Sequence, residues 1–428
     1  MSAQKIKMLC CFVIAGLICL TVIIYNCRNS TDVERISTVE DDIVNNIDEI
    51  DKIDEKKIND DILDEKFHKN IREMNEGAKN NEQENKEIES NITVKEEQEE
   101  ICESANKENV IGNDLPIEHS PETVGNFVII NSVGYEKFKF NKHNANVYIE
   151  SVNKYAENIN SDIKLYNIIV PTSSEFNMPD EYRNLSDSQK DGISYAYSNM
   201  DNKIITVDAY SNIESHKSEY LYFKTDHHWT ALGAFRAYES FMKIKGEEAV
   251  PIEKYNKIDS KSKYLGSIYN MTKNERLENN LDDIWYYEPF LSVEYSSINR
   301  DETKWNSSQI IFPSYFEHDR KYSAFMGGDT AFSHIKVDSQ AEIKILVIKD
   351  SYGNAFIPFL LPHYRDIFIV DPRYFKNNVY DLIQDNKIDE VLIINYASVL
   401  QLPEFSRLLG NMGTANVTSA TAIIKKSP

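Results

Sequence analysis

Two short runs in this 428-residue chain carry residue types that can do acyl-transfer chemistry together. The first is Tyr222-Phe223-Lys224-Thr225-Asp226-His227-His228-Trp229-Thr230, where two of the nine histidines stand beside a carboxylate. A histidine can serve as general base near neutral pH, and a carboxylate close in sequence can orient its ring and stabilise the imidazolium that forms. The second run is Lys349-Asp350-Ser351-Tyr352-Gly353-Asn354. A serine hydroxyl is a weak nucleophile until a base takes its proton. Set between an apolar strand and a helix, it projects above the sheet edge with backbone N–H groups beside it, ready to hold developing negative charge. Each run has a plainer reading: Asp350-Ser351 as a helix N-cap, and Asp226 with His227 as the cap of the helix that follows. Two such clusters at two strand-to-helix turns of one sheet argue for a shared site.

The elements that must position these residues are legible from periodicity. Tyr222 and Phe223 read as the end of a strand, and Ala231, Ala234, Phe235, Tyr238 and Phe241 recur at helical spacing, which puts the Asp-His-His cluster on a turn. Upstream, strands are expected over 126–131 and 163–170, with an alternating pair over 135–140, and helices over 144–160 and 186–198. Pro171-Thr172-Ser173-Ser174 ends the second strand, and a further strand covers 203–207. This βαβα rhythm predicts a parallel sheet with helices on both faces. The rhythm lapses over about 247–340, a stretch rich in Tyr, Asn and Asp, which reads as a β-rich insertion covering or flanking the site. It then returns: strands over 342–348, 366–370 and 390–396, with helices over 355–361, stopped by Pro362, and around 379–384. There is no glycine-rich phosphate loop.

Composition bounds the function. Residues 31–122 hold 29 acidic and 11 basic side chains, a net of −18 out of −22 for the chain, with Phe67 as their one aromatic residue. Such a segment cannot bury enough apolar surface to offset chain entropy. It reads as a solvated linker, with a short coiled-coil stalk as the alternative on the spacing of Ile36, Val39, Ile43, Ile50 and Ile53. The acidic balance argues against nucleic acid as a partner. Residues 8–25 contain no charge and follow Lys5 and Lys7, as expected of a transmembrane signal anchor with residues 1–7 cytoplasmic and everything after Arg28 outside. A cleaved signal peptide is the alternative and leaves the compartment the same. Cys10, Cys11, Cys19 and Cys27 lie in or beside this run and Cys102 in the acidic segment, so residues 123–428 must fold on a hydrophobic core without disulfides or thiol chemistry.

The Thr225-Asp226-His227-His228-Trp229-Thr230 run, together with Lys349 to Phe356 and the trailing Pro358-Phe359-Leu360, closely resembles the DHHW protein family, a branch of the SGNH-hydrolase-like proteins related to periplasmic alginate O-acetyltransferases. The resemblance extends over most of residues 126–396, including Val170-Pro171-Thr172. It implies a flavodoxin-like α/β/α fold in which the Asp-x-His pair precedes the serine, with Ser351 as nucleophile, His228 as base and Asp226 as its orienter. His227, Thr172, Asn354 and Asn395 are carried along as substrate or oxyanion candidates. Trp229 and Tyr352 either stack on sugar rings or pack in the core. It further implies an extracellular polysaccharide as acceptor and a membrane-bound O-acyltransferase as acetyl supplier; no cofactor or metal is expected.

The expected reaction is a double displacement through an acyl-serine, resolved by a sugar hydroxyl in a transferase or by water in an esterase. Two readings of other classes stand beside it. An Asp-His-His cluster also occurs in metal-dependent phosphoesterases, which need further acidic ligands at other strand ends. A catalytically silent glycan-binding or assembly protein would keep the fold without turnover.

Overall fold

The computed structural model of the protein describes residues 120–413. The expected anchor and nearly all of the acidic segment lie outside the described residues. Among those described, no helix is long and apolar enough to cross a membrane.

The described chain opens with an antiparallel meander of β1 (Glu122–Val124), β2 (Phe127–Ile130) and β3 (Val133–Glu136). Then come α1 (Lys142–Asn158), β4 (Lys164–Val170), α2 (Ser173–Phe176), α3 (Gln189–Asn199), β5 (Ile204–Thr206), α4 (Ala209–Ser215) and α5 (Ala231–Lys245). The middle third holds β6 (Asn256–Tyr264), α6 (Ser267–Thr272), β7 (Asp282–Glu288), β8 (Val293–Ile298), β9 (Lys304–Ser307) and β10 (Phe332–Val337). Last are β11 (Lys344–Lys349), α7 (Gly353–Phe356), β12 (Asp366–Val370), α8 (Val379–Asn386), β13 (Glu390–Tyr396) and α9 (Pro403–Asn411).

The main sheet has eight strands in the order β5-β4-β13-β11-β12-β10-β8-β9. Its first five are mutually parallel, as the βαβ rhythm requires. The expectation of a parallel sheet needs correcting beyond β12, where β10, β8 and β9 add on antiparallel. The insertion is therefore β-rich as expected, but three of its strands extend the sheet itself, while β6 and β7 form a separate two-stranded ribbon. The central strands are continuous apolar runs because helices cover both faces: Ile345 to Ile348 of β11 and Val391 to Ile394 of β13 are fully buried.

Counted from β11, the parallel strands lie in the spatial order 2-1-3-4-5, with β12 second, β13 third, β4 fourth and β5 fifth. That is the flavodoxin-type doubly wound order, whose crevice for ligands opens at the carboxyl ends beside the first strand. The chain simply starts at the fourth strand. This rotation of the starting point explains why an Asp-His pair beyond the fifth strand comes before a serine beyond the first.

Two local expectations also change. Tyr222 and Phe223 do not form a strand; a single bridge joins Tyr222 to Trp229, closing a loop around Asp226-His227-His228. The helix expected over 355–361 is only the short α7, continued as a 3-10 turn from Ile357 to His363, since Pro358 and Pro362 each remove a helical N–H donor.

Candidate active site

The carboxyl edge of the parallel strands carries the site. β11 ends at Lys349 with Asp350 and Ser351 directly after it, and Gly353 lets the chain fold back over the strand end: a Cβ there would lie 2.6 Å from Lys349 Cβ. Asp350 is not a helix cap. Its Oδ1 accepts from the Tyr352 N–H (3.0 Å), and its Oδ2 accepts from Asn395 Nδ2 and the Tyr396 N–H (3.1 Å each), which tie the turn to the end of β13. Burial nonetheless raises the Asp350 carboxyl above the ordinary range. Below the turn, buried Lys349 reaches Asp329 (2.8 Å) and Asp371 (3.6 Å), and Arg373 pairs with the same two acids. Burial alone would raise Asp329, but Lys349 and Arg373 hold it well below the usual carboxylate range.

The other half of the site is the loop between α4 and α5. The cap of α5 is Thr230, whose Oγ1 accepts from the Gly233 N–H (3.3 Å), so Asp226 and His227 are released from the capping role. The loop is fastened from the insertion. Asp282, at the start of β7, accepts from the Lys224 N–H (2.7 Å), the Thr225 N–H (2.8 Å) and the Thr225 hydroxyl (2.5 Å). Trp229 fastens it from beneath by donating Nε1–H to the Tyr352 carbonyl (2.9 Å), and the Tyr352 hydroxyl donates to the His227 carbonyl in return.

These constraints bring Asp226, His228 and Ser351 into one line. His228 Nδ1 lies 2.6 Å from Asp226 Oδ1, and His228 Nε2 lies 2.7 Å from Ser351 Oγ, across 123 residues of chain. Asp226 Oδ1 also accepts from the His228 N–H (2.9 Å), while Oδ2 accepts from the Tyr264 hydroxyl (2.5 Å) and the Ser267 N–H (2.7 Å). Burial by itself would raise this carboxyl, yet the His228 and His227 imidazoles and these donors hold it far below the usual range. It is thus a fixed anion aimed at Nδ1. Gly266 makes the approach possible, since a Cβ there would stand 2.2 Å from Asp226 Cβ.

His227 sits at the rim with its Nδ1 2.5 Å from Ser267 Oγ, a hydroxyl that also accepts from the His227 N–H (3.2 Å). Burial and then the neighbouring imidazole of His228 lower it to about 3, so it is neutral at pH 7. One ligand atom each from Asp226, His227 and His228 would fit within 4.8 Å of one another, the spacing of a small metal site. The ring atoms are turned to other work: His228 faces Asp226 and Ser351 with its two nitrogens, and His227 faces Ser267 with one. That geometry suits proton transfer better than metal ligation.

The remaining candidates divide cleanly. Trp229 and Tyr352 are fully buried, which resolves their dual reading in favour of packing; Tyr352 stacks beneath half-buried Tyr396 at 4.9 Å and 2°. Asn395 is spent on Asp350, and its Oδ1 lies 3.2 Å from the Tyr148 hydroxyl. Asn354 Nδ2 donates to Asp329 (2.9 Å) while its Oδ1 is buried without a partner. Thr172, at the end of β4, is buried against Gln189 (2.8 Å). Among the described residues no acceptor pairs with the Ser351 N–H, which leaves it a candidate oxyanion donor. Sequence reasoning missed Tyr264, Ser267, Asp282 and Tyr322 altogether.

Comparison with known proteins bears on the family and the fold. No curated protein matches the sequence. Among solved structures, a DHHW family protein from Eubacterium siraeum is similar, at 27% identity and a TM-score of 0.63 over 69% of this chain and 98% of that one. Bacillus cereus PatB1, solved with a sulfonyl adduct, is similar in fold at 19% identity and a TM-score of 0.56, over 67% of this chain and 98% of its own. The sequence matches the DHHW protein family over residues 29–370, most of its length, and the chain therefore belongs to that family.

Proposed function

We propose that the protein is an extracytoplasmic O-acetyltransferase or acetylesterase acting on a cell-surface or secreted polysaccharide. The observation that carries the reading is the continuous Asp226–His228–Ser351 relay, with contacts of 2.6 and 2.7 Å. His228 Nε2 takes the Ser351 hydroxyl proton as Oγ attacks the acetyl carbonyl, and the oxyanion faces the Ser351 N–H. Collapse breaks the ester bond, the leaving alkoxide takes the proton from His228, and acetyl-serine remains. An incoming hydroxyl then gives its proton to His228 as its oxygen attacks the acetyl carbonyl; collapse breaks the acyl bond to Oγ, and Ser351 takes that proton back from His228. A sugar hydroxyl gives the transferase and water the esterase. The acceptor polysaccharide and a membrane-bound O-acyltransferase as acetyl supplier belong to this proposal through the family resemblance, and the uncharged run of residues 8–25 is the anchor proposed to keep the domain beside it.

The test is turnover of a chromogenic acetyl ester by the purified protein, with mass spectrometry for an acetyl adduct on Ser351. Turnover undiminished in Ser351→Ala would end the nucleophile assignment. The Asp226–His227–His228 spacing supports a metal-dependent hydrolase as the second reading. That reading predicts activity lost to a chelator and kept in Ser351→Ala.

A further inference from the structure

We propose that Tyr322, supplied by the insertion, is a positioning residue of the proposed base: it closes the second face of the His228 ring, fixes that ring on the line from Asp226 to Ser351, and favours its protonated form during proton transfer. This inference rests on the serine–histidine reading above.

The geometry is explicit. The Tyr322 ring lies 3.8 Å from the His228 ring at 11°, a parallel stack, and the His227 ring lies 3.9 Å away at 35°. Two rings at such distances cannot share one face, so the imidazole is held between them. The Tyr322 hydroxyl donates to the Ser351 carbonyl (3.1 Å), so one side chain touches the base with its ring and the nucleophile's backbone with its hydroxyl. Tyr322 is itself buried and held edge-on by Phe223 (6.4 Å, 89°) and at 60° by Phe325 (5.3 Å).

A histidine bonded only at its two nitrogens can still tip about the axis joining them. Covering both faces removes that freedom, which keeps Nε2 on Ser351 through the reaction. When the serine proton arrives, the ring becomes a cation over an aromatic face, an interaction absent while the ring is neutral. A contact strengthened only in the transition state acts on kcat rather than on KM.

The experiment measures acetyl-ester kinetics and, separately, the rate at which phenylmethanesulfonyl fluoride labels Ser351 in the full-length protein. The second readout needs no acetyl chemistry. Tyr322→Leu is expected to lower kcat and the labelling rate about tenfold with KM within about twofold, whereas Tyr322→Phe, which keeps the ring, stays within about threefold of wild type. Tyr322→Met, equally without a ring, replaces Leu if that variant does not fold. In a His228→Ala background, Tyr322→Leu is expected to cause no further loss, because the ring acts through the imidazole. Equal labelling in wild type and Tyr322→Leu, or an equal loss with and without His228, overturns the inference while leaving the nucleophile assignment standing. No labelling of Ser351 in wild type overturns both.

Discussion

The parallel strands and the insertion prepare the same site by different means. The parallel half fixes Ser351 from below: a buried strand, a turn closed by Asp350, and a Lys349–Asp371–Arg373 charge network beneath it, which Asp329 joins from the end of the insertion. The insertion fixes His228 from the side: Asp282 holds the backbone of its loop, Tyr264 and Ser267 reach Asp226, Ser267 reaches His227, and Tyr322 stacks on His228. Damage to the first region should therefore appear mainly as lost stability, and damage to the second mainly as lost turnover in a domain that still folds.

The largest effect is expected where the two meet. Ser351→Ala and His228→Ala should each remove nearly all acetyl-ester turnover, with the double variant scarcely worse than either, since residues acting as one unit are far from additive. Clearly additive losses would break the picture of a single unit. Next comes Gly266→Ala, which forces a methyl onto Asp226. Overpacking of this kind costs about 1–3 kcal/mol, and turnover should fall at least tenfold as the carboxylate leaves Nδ1; melting and kinetics on one preparation check both.

The comparison is sharpened by a pair of milder changes. Tyr264→Phe removes one donor from Asp226 and should lower kcat several-fold with a melting shift of only a few degrees. Asn395→Leu strips a donor from Asp350 in the parallel half and should do the reverse, costing about 1–3 kcal/mol in denaturant unfolding while kcat changes little. Equal effects on both readouts for the two variants would erase the distinction.

The change with the smallest expected effect on turnover bears instead on stability against pH. His227 is lowered to about 3 in the folded protein, so between that value and its ordinary 6.5 the unfolded chain binds more protons than the folded one. Stability then rises with pH across this window and is lost on acidification from about 6.5 downward. Asp226, held below the usual range, contributes stability that is present above the unfolded value near 3.9 and lost only as pH falls further. His227→Gln should accordingly flatten the melting profile between pH 4 and 6.5 without changing it near pH 8. An unchanged slope would show that His227 does not carry it.

What the sequence made legible follows from how each feature is encoded. The strands β11 and β13 announce themselves because burial on both faces demands unbroken apolar runs, and Ser351, Asp226 and His228 stand out by chemical type at adjoining turns. Tyr222 and Phe223 read as a strand because aromatics favour extended backbone by type, whereas here they are buried in a loop with a single bridge. The antiparallel extension by β10, β8 and β9 depends on pairing with β12, which no local pattern specifies. Tyr264 and Tyr322 are two of 25 tyrosines, and only tertiary packing distinguishes them from the rest.

The rotated strand order has a consequence for biosynthesis. β4 lies between β5 and β13, and the Asn167 side chain meets the Ile393 carbonyl at a separation of 226 residues. During synthesis β4 emerges long before its inner neighbour, and β11 likewise waits for β13. Until the last strand arrives, two apolar strands of the future core have open edges, the kind of surface that pairs with other chains. Folding dominated by such distant pairings is slow, so a nascent or prematurely terminated chain ending before residue 390 should be a poor soluble species and a good chaperone client.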